Sequence, residues 1–222
     1  MHGIPGHDVG ESFDPALPVD VQVNGSICLL KGFAFRDIAS PFTVPAGSYS
    51  LSISLASTVA PGSNPALLTA HHVAFADGED ASVVAYLNAQ GEPGLTVFKN
   101  DFTLTPSGDA RLLVHHAAFA PAVDITVSRD KLLFGGWPYP YPLATLHGVA
   151  NGEQSANLVP AGPMWNFPLT QVTLTPAGQT TPVIGPYFFQ LVPHTAYLVY
   201  AVGSLETGSF TLIHKCPASD EC

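Results

Sequence analysis

Charge is what this sequence has least of. Its 222 residues include only 7 Lys+Arg and 17 Asp+Glu, 11% charged in all, where about 25% is usual. Cysteine (3), methionine (2) and tryptophan (2) are scarce as well. Each shortage removes a class. A disordered chain would be charged and poor in apolar residues, but 46% of this one is hydrophobic. A coiled coil or helical bundle would repeat Ala, Glu, Lys, Leu and Arg, and would not tolerate 21 prolines spread along the chain. A general nucleic-acid binder would be basic, whereas the formal net charge is −10. No segment reaches the roughly 18 uninterrupted apolar residues of a membrane span. No basic stretch followed by an apolar run opens the chain, so no signal peptide is read there; Met1-His2-Gly3-Ile4-Pro5 looks like the middle of something longer. A Pro- and Gly-punctuated all-β protein remains.

Strand patterns recur between turn signals. Val19-Asp20-Val21-Gln22-Val23 alternates apolar and polar residues, and Asn24-Gly25 supplies a hairpin turn. Phe42–Val44, Tyr49–Leu55, Ala66–Thr69, Val73–Phe75, Ser82–Leu87 and Leu95–Phe98 follow at the spacing of a β-sandwich.

The pattern then restarts. Pro18–Val23 recurs as Ala122–Val127, Phe42–Gly47 as Asn157–Gly162, Val83–Leu87 as Ala196–Ala201, and Leu95–Lys99 as Phe210–Lys215. Blocks repeated in one order predict two tandem immunoglobulin-like antiparallel β-sandwich domains, 1–105 and 106–222, with a Pro/Gly turn cluster at Thr105–Asp109. The second copy opens on a strand, Ala110–His116. His116 aligns with His2, so the first copy lacks that strand and has a Gly- and Asp-rich insertion instead. A sandwich short of its first strand exposes an unpaired edge. Either the strand is simply missing, or another molecule supplies it in donor-strand fashion. The edge is placed at Val19, Val21 and Val23.

The segment Arg111–Val127, with its strand, its histidine and its Ala-Pro-Ala-Val-Asp-Ile block, resembles the opening of the secreted domain of unknown function 4397. Leu132–Gly136, the Val-Pro-Ala-Gly-x-Tyr turn at Val44–Tyr49, and His2–Gly6 leading to Pro18–Gly25 fit the same family. The resemblance covers nearly the whole chain as two copies. It implies a secreted or cell-surface protein of a bacterium or archaeon, and it has no catalytic residues to carry over. The missing first strand, the insertion at His7–Leu17 and the Pro- and aromatic-rich second copy depart from it.

Of the cysteines, Cys216 and Cys222 sit in a polar tail and can close a small disulfide loop, leaving Cys28 as an odd thiol; pairing of Cys28 with a tail cysteine is the other arrangement. Few lysines, many small polar residues and a disulfide fit an extracellular setting, as does the sequon Asn24-Gly25-Ser26.

Chemistry-bearing residues are sparse. There are 9 histidines, with adjacent pairs at His71-His72 and His115-His116. Neighbours on a strand point to opposite faces, so a pair makes no two-ligand site alone. His2, His7, His72 and His116 are the candidate ligands for zinc or copper, weighed against ordinary hydrogen-bonded histidines. Asp20 and Asp124 hold equivalent places in the two copies, which suits a carboxylate bonding a turn backbone better than a glycosidase pair in one cleft. Asp77-Gly78-Glu79-Asp80 lacks calcium-loop spacing. No nucleophile elbow, zinc-protease, P-loop or dinucleotide motif is found.

The most unusual local feature is Phe134–Pro142, with Trp137, Tyr139 and Tyr141 set among prolines; Trp165 adds another ring. These rings either lid the sandwich, contact another protein, or stack on sugar. The leading expectation is a non-catalytic, secreted or cell-surface structural or adhesive protein. It would assemble through an open strand edge and aromatic contacts, with itself or another surface protein as partner. The alternative is an extracellular binding module for a glycan or a His-bound metal. No nucleic-acid partner and no membrane span are expected.

Overall fold

The computed structural model describes residues 1–6, 8–9, 12–13, 17–103, 105, 108–131, 139–161 and 170–215. These residues contain strands and turns with no helix, so the fold is all-β, as expected. They divide into two compact units. The first is Met1–Asn100 with Ala117–Phe119 and Val202–Ser209; the second is Asp101–His116, Ala120–Ala201 and the chain from Phe210 onward. A single cut between 105 and 106 therefore does not separate them.

The first unit begins with the short pair β1 (Asp8–Val9) and β2 (Ser12–Phe13). Its main sheet is built from β3 (Val19–Val23), β4 (Ile27–Phe33), β5 (Gly47–Leu55) and β6 (Ala66–Phe75), in the order β4-β3-β5-β6. β3 turns into β4 through Asn24 and Gly25, both at positive φ (51° and 73°), the conformation that Asn and Gly adopt most readily. What the sequence offers as two short strands, 66–69 and 73–75, is one long strand: β6 shifts register against β5 between Tyr49 and Leu51, where His72 stands at φ 61°. Val19 and Ile53 form the core with Ala85, and Val21, Phe33, Leu68 and Leu95 pack around them. Phe42–Val44 belongs to no strand.

The second sheet of this unit pairs β7 (Ala81–Leu87) with β8 (Pro93–Lys99). Beside β7 runs the segment Met1–Ile4. Gly3 donates its amide to the Ala85 carbonyl at 2.8 Å, and Ala85 donates to Met1 at 3.1 Å, in a parallel bridge. On its other side the Gly3 carbonyl accepts the Gly203 amide at 3.2 Å. A side chain at Gly3 would lie 2.9 Å from the Ala85 oxygen, so this close approach requires glycine.

The second unit is built from β9 (Asp109–Phe119), β10 (Val123–Lys131), β11 (Tyr139–Val149), β12 (Gln154–Pro160), β13 (Thr170–Pro176), β14 (Ile184–Phe189), β15 (Ala196–Ser204) and β16 (Thr211–Lys215). Two four-stranded sheets run β11-β10-β13-β14 and β12-β9-β15-β16. Alternation sets the faces: Val123, Ile125 and Val127 of β10 and Val172 and Leu174 of β13 are fully buried. β9 starts level with β15, since Arg111 donates to Thr195 and His194 to Asp109, both at 2.9 Å. An immunoglobulin constant domain pairs its first strand with its second, in sheets of four and three strands. Here β9 lies between β12 and β15, so the strand order departs from the immunoglobulin-like expectation while the all-β class stands.

Candidate interaction edge

Two expectations about the first unit need correction. The unpaired edge is not at Val19, Val21 and Val23, because β3 is the inner strand of its sheet, bonded to β4 on one side and β5 on the other. Val19 is buried, and Val21 packs against the core. Nor is the place beside β7 vacant for a foreign strand: Met1–Ile4 of the same chain fills it.

The conspicuous carboxylates are committed to backbone. Asp20 Oδ1 accepts the Gly32 amide at 2.9 Å, and Oδ2 accepts those of Gly62 at 2.8 Å and Ser57 at 3.1 Å. Burial pushes this carboxyl up, but the three amides more than offset that and hold it below its usual range. Asp124 repeats the arrangement, accepting Gly148 at 2.8 Å and Gly178 at 3.0 Å. Gly178 and Gly148 lower its pKa too. The acidic turn is closed in the same manner. Glu79 accepts the Ala76 amide at 2.8 Å and pairs with Lys99 at 3.0 Å, while Asp80 accepts the Asn100 side-chain amide at 2.7 Å.

Among the described residues the histidines do not assemble into a metal centre. His2 and His72 lie in the first unit and His116 in the second; His7 lies outside the described residues. Among the described residues no three His, Cys, Asp or Glu side chains come together. His2 is buried, with Nδ1 accepting the Ile4 amide at 3.3 Å and its ring edge-on to Phe35. Burial pushes its pKa down. Its main chain is clasped by a turn, donating to Asp37 and accepting from Arg36, and the Asp37 carboxylate closes that turn onto the Ala34 amide. His116 is held in a matching way. It donates to Glu153 and accepts from Gly152, and Glu153 closes its turn onto Ala150. The His116 Nε2 lies 3.1 Å from the Pro121 carbonyl, so that nitrogen carries the proton and offers no lone pair to a metal. His72 is exposed on β6.

Of the aromatic candidates, Tyr141 is 36% exposed on β11, the backbone of Tyr139 lies in the same strand, and Trp137 and Trp165 lie outside the described residues. Cys216 and Cys222 lie outside them as well. Cys28 is half-buried on β4 and has no disulfide partner among the described residues. Asn24 of the sequon sits at the tip of the β3–β4 turn, where its Oδ1 accepts the Ser50 amide at 3.0 Å.

What the sequence patterns missed is β6. It ends its sheet, so one side of its backbone has no strand partner among the described residues. The other long strands that end a sheet each carry a residue that discourages edge pairing. β4 has Lys31, β8 has Pro93 and Lys99, β11 has Pro140 and Pro142, β12 has Pro160, β14 has Pro186, and β16 has Lys215. The free side of β7 is the one that Met1–Ile4 covers. The ten residues of β6, Ala-Leu-Leu-Thr-Ala-His-His-Val-Ala-Phe, include no proline and no Lys, Arg, Asp or Glu, and Leu67 is 63% exposed. The strand's register shifts twice against β5, between Ala66 and Leu68 and between Ala70 and Val73, so this edge is interrupted by bulges and by no charge or proline.

No curated protein matches the chain. A family model described as a domain of unknown function, DUF4397, matches residues 12–126, more than half of the sequence, and the chain belongs to that family.

Proposed function

We propose that this chain is a tandem duplication of one β-sandwich, secreted and held at the cell surface, where it serves as a non-catalytic structural or adhesive protein. The duplication is supported by more than the repeated sequence blocks. The order β4-β3-β5-β6 in the first unit corresponds strand for strand to β11-β10-β13-β14 in the second. The carboxylate staples of Asp20 and Asp124 and the turns that clasp His2 and His116 correspond as well. Met1–Ile4 runs parallel to β7, as β9 runs parallel to β15.

The single observation that carries the functional reading is the edge of β6, which carries no proline and no Lys, Arg, Asp or Glu. An apolar edge strand without charge or proline favours pairing with another chain, so natural sheets block such edges unless they are used. The polar groups that suggested chemistry hold turns together instead. Few lysines and arginines also leave few tryptic sites, which suits a long-lived extracellular protein. Proteolysis of intact cells with a protease of broad specificity, one that cuts the purified protein, followed by electron microscopy of the native product, tests the reading. Release of the protein from intact cells, together with ordered assemblies, supports it. Protection inside the cells overturns it.

A further inference from the structure

One stretch of this sparsely charged chain has no charge at all. From Ile38 to Ala76 there is no Lys, Arg, Asp or Glu, and this stretch contains all of β5 and β6. In a protein of net charge −10, like charges work against the association of two copies; β5, β6 and the loop between them contribute none. Carboxylates resume directly after β6, at Asp77, Glu79 and Asp80. At the opposite end of the strand the loop Val59–Pro65 is uncharged.

We infer that β6 is a homotypic docking strand, pairing edge to edge and antiparallel with β6 of a second copy of this chain. The inference rests on the assembly reading above and names the partner. Charge selects the direction. Ten residues of strand span about 33 Å at ~3.3 Å per residue. In an antiparallel pair each acidic turn lies beside the uncharged Val59–Pro65 loop of the other copy, with the two acidic turns a full strand length apart. A parallel pair would set them side by side. The free N–H and C=O groups of the edge gain partners, and Leu67 and Thr69, both exposed, come to lie beside the second strand.

The test is light scattering of the purified full chain across a concentration series, for wild type, Leu67→Lys, Thr69→Lys and Ile27→Lys. Thr69→Lys stands in if Leu67→Lys fails to fold. Ile27→Lys makes the same charge change at an exposed residue of β4, the opposite edge of the sheet. Wild type is expected to dimerise reversibly, the β6 variants to weaken the dimer at least about tenfold, and Ile27→Lys to leave it unchanged. A wild type that stays monomeric at millimolar concentration overturns the inference, as does a dimer that the β6 variants leave intact or that Ile27→Lys weakens equally. These outcomes are separable from the functional reading. A surface-exposed, assembling protein indifferent to β6 substitutions overturns the docking strand alone. A protein found inside the cell overturns the surface role and leaves the dimer measurement standing.

Discussion

The Asp20 carboxylate lies 2.9 Å from the amide nitrogen of Gly32, near the end of β4, and the same carboxylate reaches Gly62 in the loop after β5. One buried side chain thus fixes two connections of the first sheet. Asp20→Ala would leave three amides without their acceptor, at a cost of about 2–4 kcal/mol, because charge-assisted bonds at buried positions are expensive to lose. Chemical denaturation of the variant measures it. Asp124→Ala is expected to cost less, since Asp124 is more exposed and accepts two backbone amides, those of Gly148 and Gly178, where Asp20 accepts three.

Gly62 is constrained twice. Its φ of +72° lies where only glycine is at ease, and a side chain there would run into the Gln22 side chain. Gly62→Ala should lower stability by about 1–2 kcal/mol, and Gln22→Ala in the same chain should relieve the steric part and leave the backbone part. Thermal melts of the single and double variants separate the two.

Tyr187 of β14 and His214 of β16 are joined at 2.9 Å, between outer strands of the two sheets of the second unit, with Phe189 stacked on the imidazole. Burial pushes the tyrosine pKa up and the histidine pKa down, so both groups are neutral at pH 7. Tyr187→Phe keeps the ring and removes the hydrogen bond. A loss of about 1 kcal/mol is expected, together with a shift in the His214 NMR titration that a purely packing role for Tyr187 would not produce.

Acid should weaken the second unit before any carboxylate titrates. His115 is fully buried against Tyr200, and burial pushes its pKa down to about 4. His116 and His2 are shifted in the same direction, chiefly by burial. A histidine whose folded pKa is depressed contributes nothing to pH dependence above its unfolded value near 6.5. Below that the unfolded chain takes up the proton and the folded one does not, so stability falls from about pH 6.5 down to the folded value. For His115 alone the fall amounts to about 3 kcal/mol. Asp20 adds a separate loss below about pH 4, because its carboxyl is depressed and must be protonated there. Unfolding free energies measured from pH 7.5 to 3.5 check this; a profile flat from pH 7 to 5 contradicts the buried histidines.

Much of this was legible in the chain itself. Alternation at Val19–Val23 and Val123–Val127 marks strands and their buried faces, because side chains on a strand point alternately to the two sides of the sheet. Asn24-Gly25 marks the turn for the same local reason. The neighbours of a strand are not encoded locally, which is why β3 reads as an edge although β4 and β5 flank it. Phe42–Val44 has strand composition yet lies in no strand among the described residues, whereas Asn157–Val159, its sequence counterpart, lies in β12. The place beside β7 looks vacant in an alignment, because so short a segment as Met1–Ile4 gives no strand pattern to recognise. The edge at β6 was hidden by the His71-His72 bulge, which splits one strand into two apparent fragments.

The central claim is that the free side of β6 bonds to another molecule of the same protein. Hydrogen exchange read at the amides of Ala66–Ala70, in dilute and in concentrated samples, tests it most directly. The account predicts that amides of this strand facing away from β5 exchange quickly in the dilute sample and become protected as concentration rises, while the β3–β4 turn at Asn24–Ser26 stays unchanged. Exchange at β6 that is equally fast in both samples would contradict it.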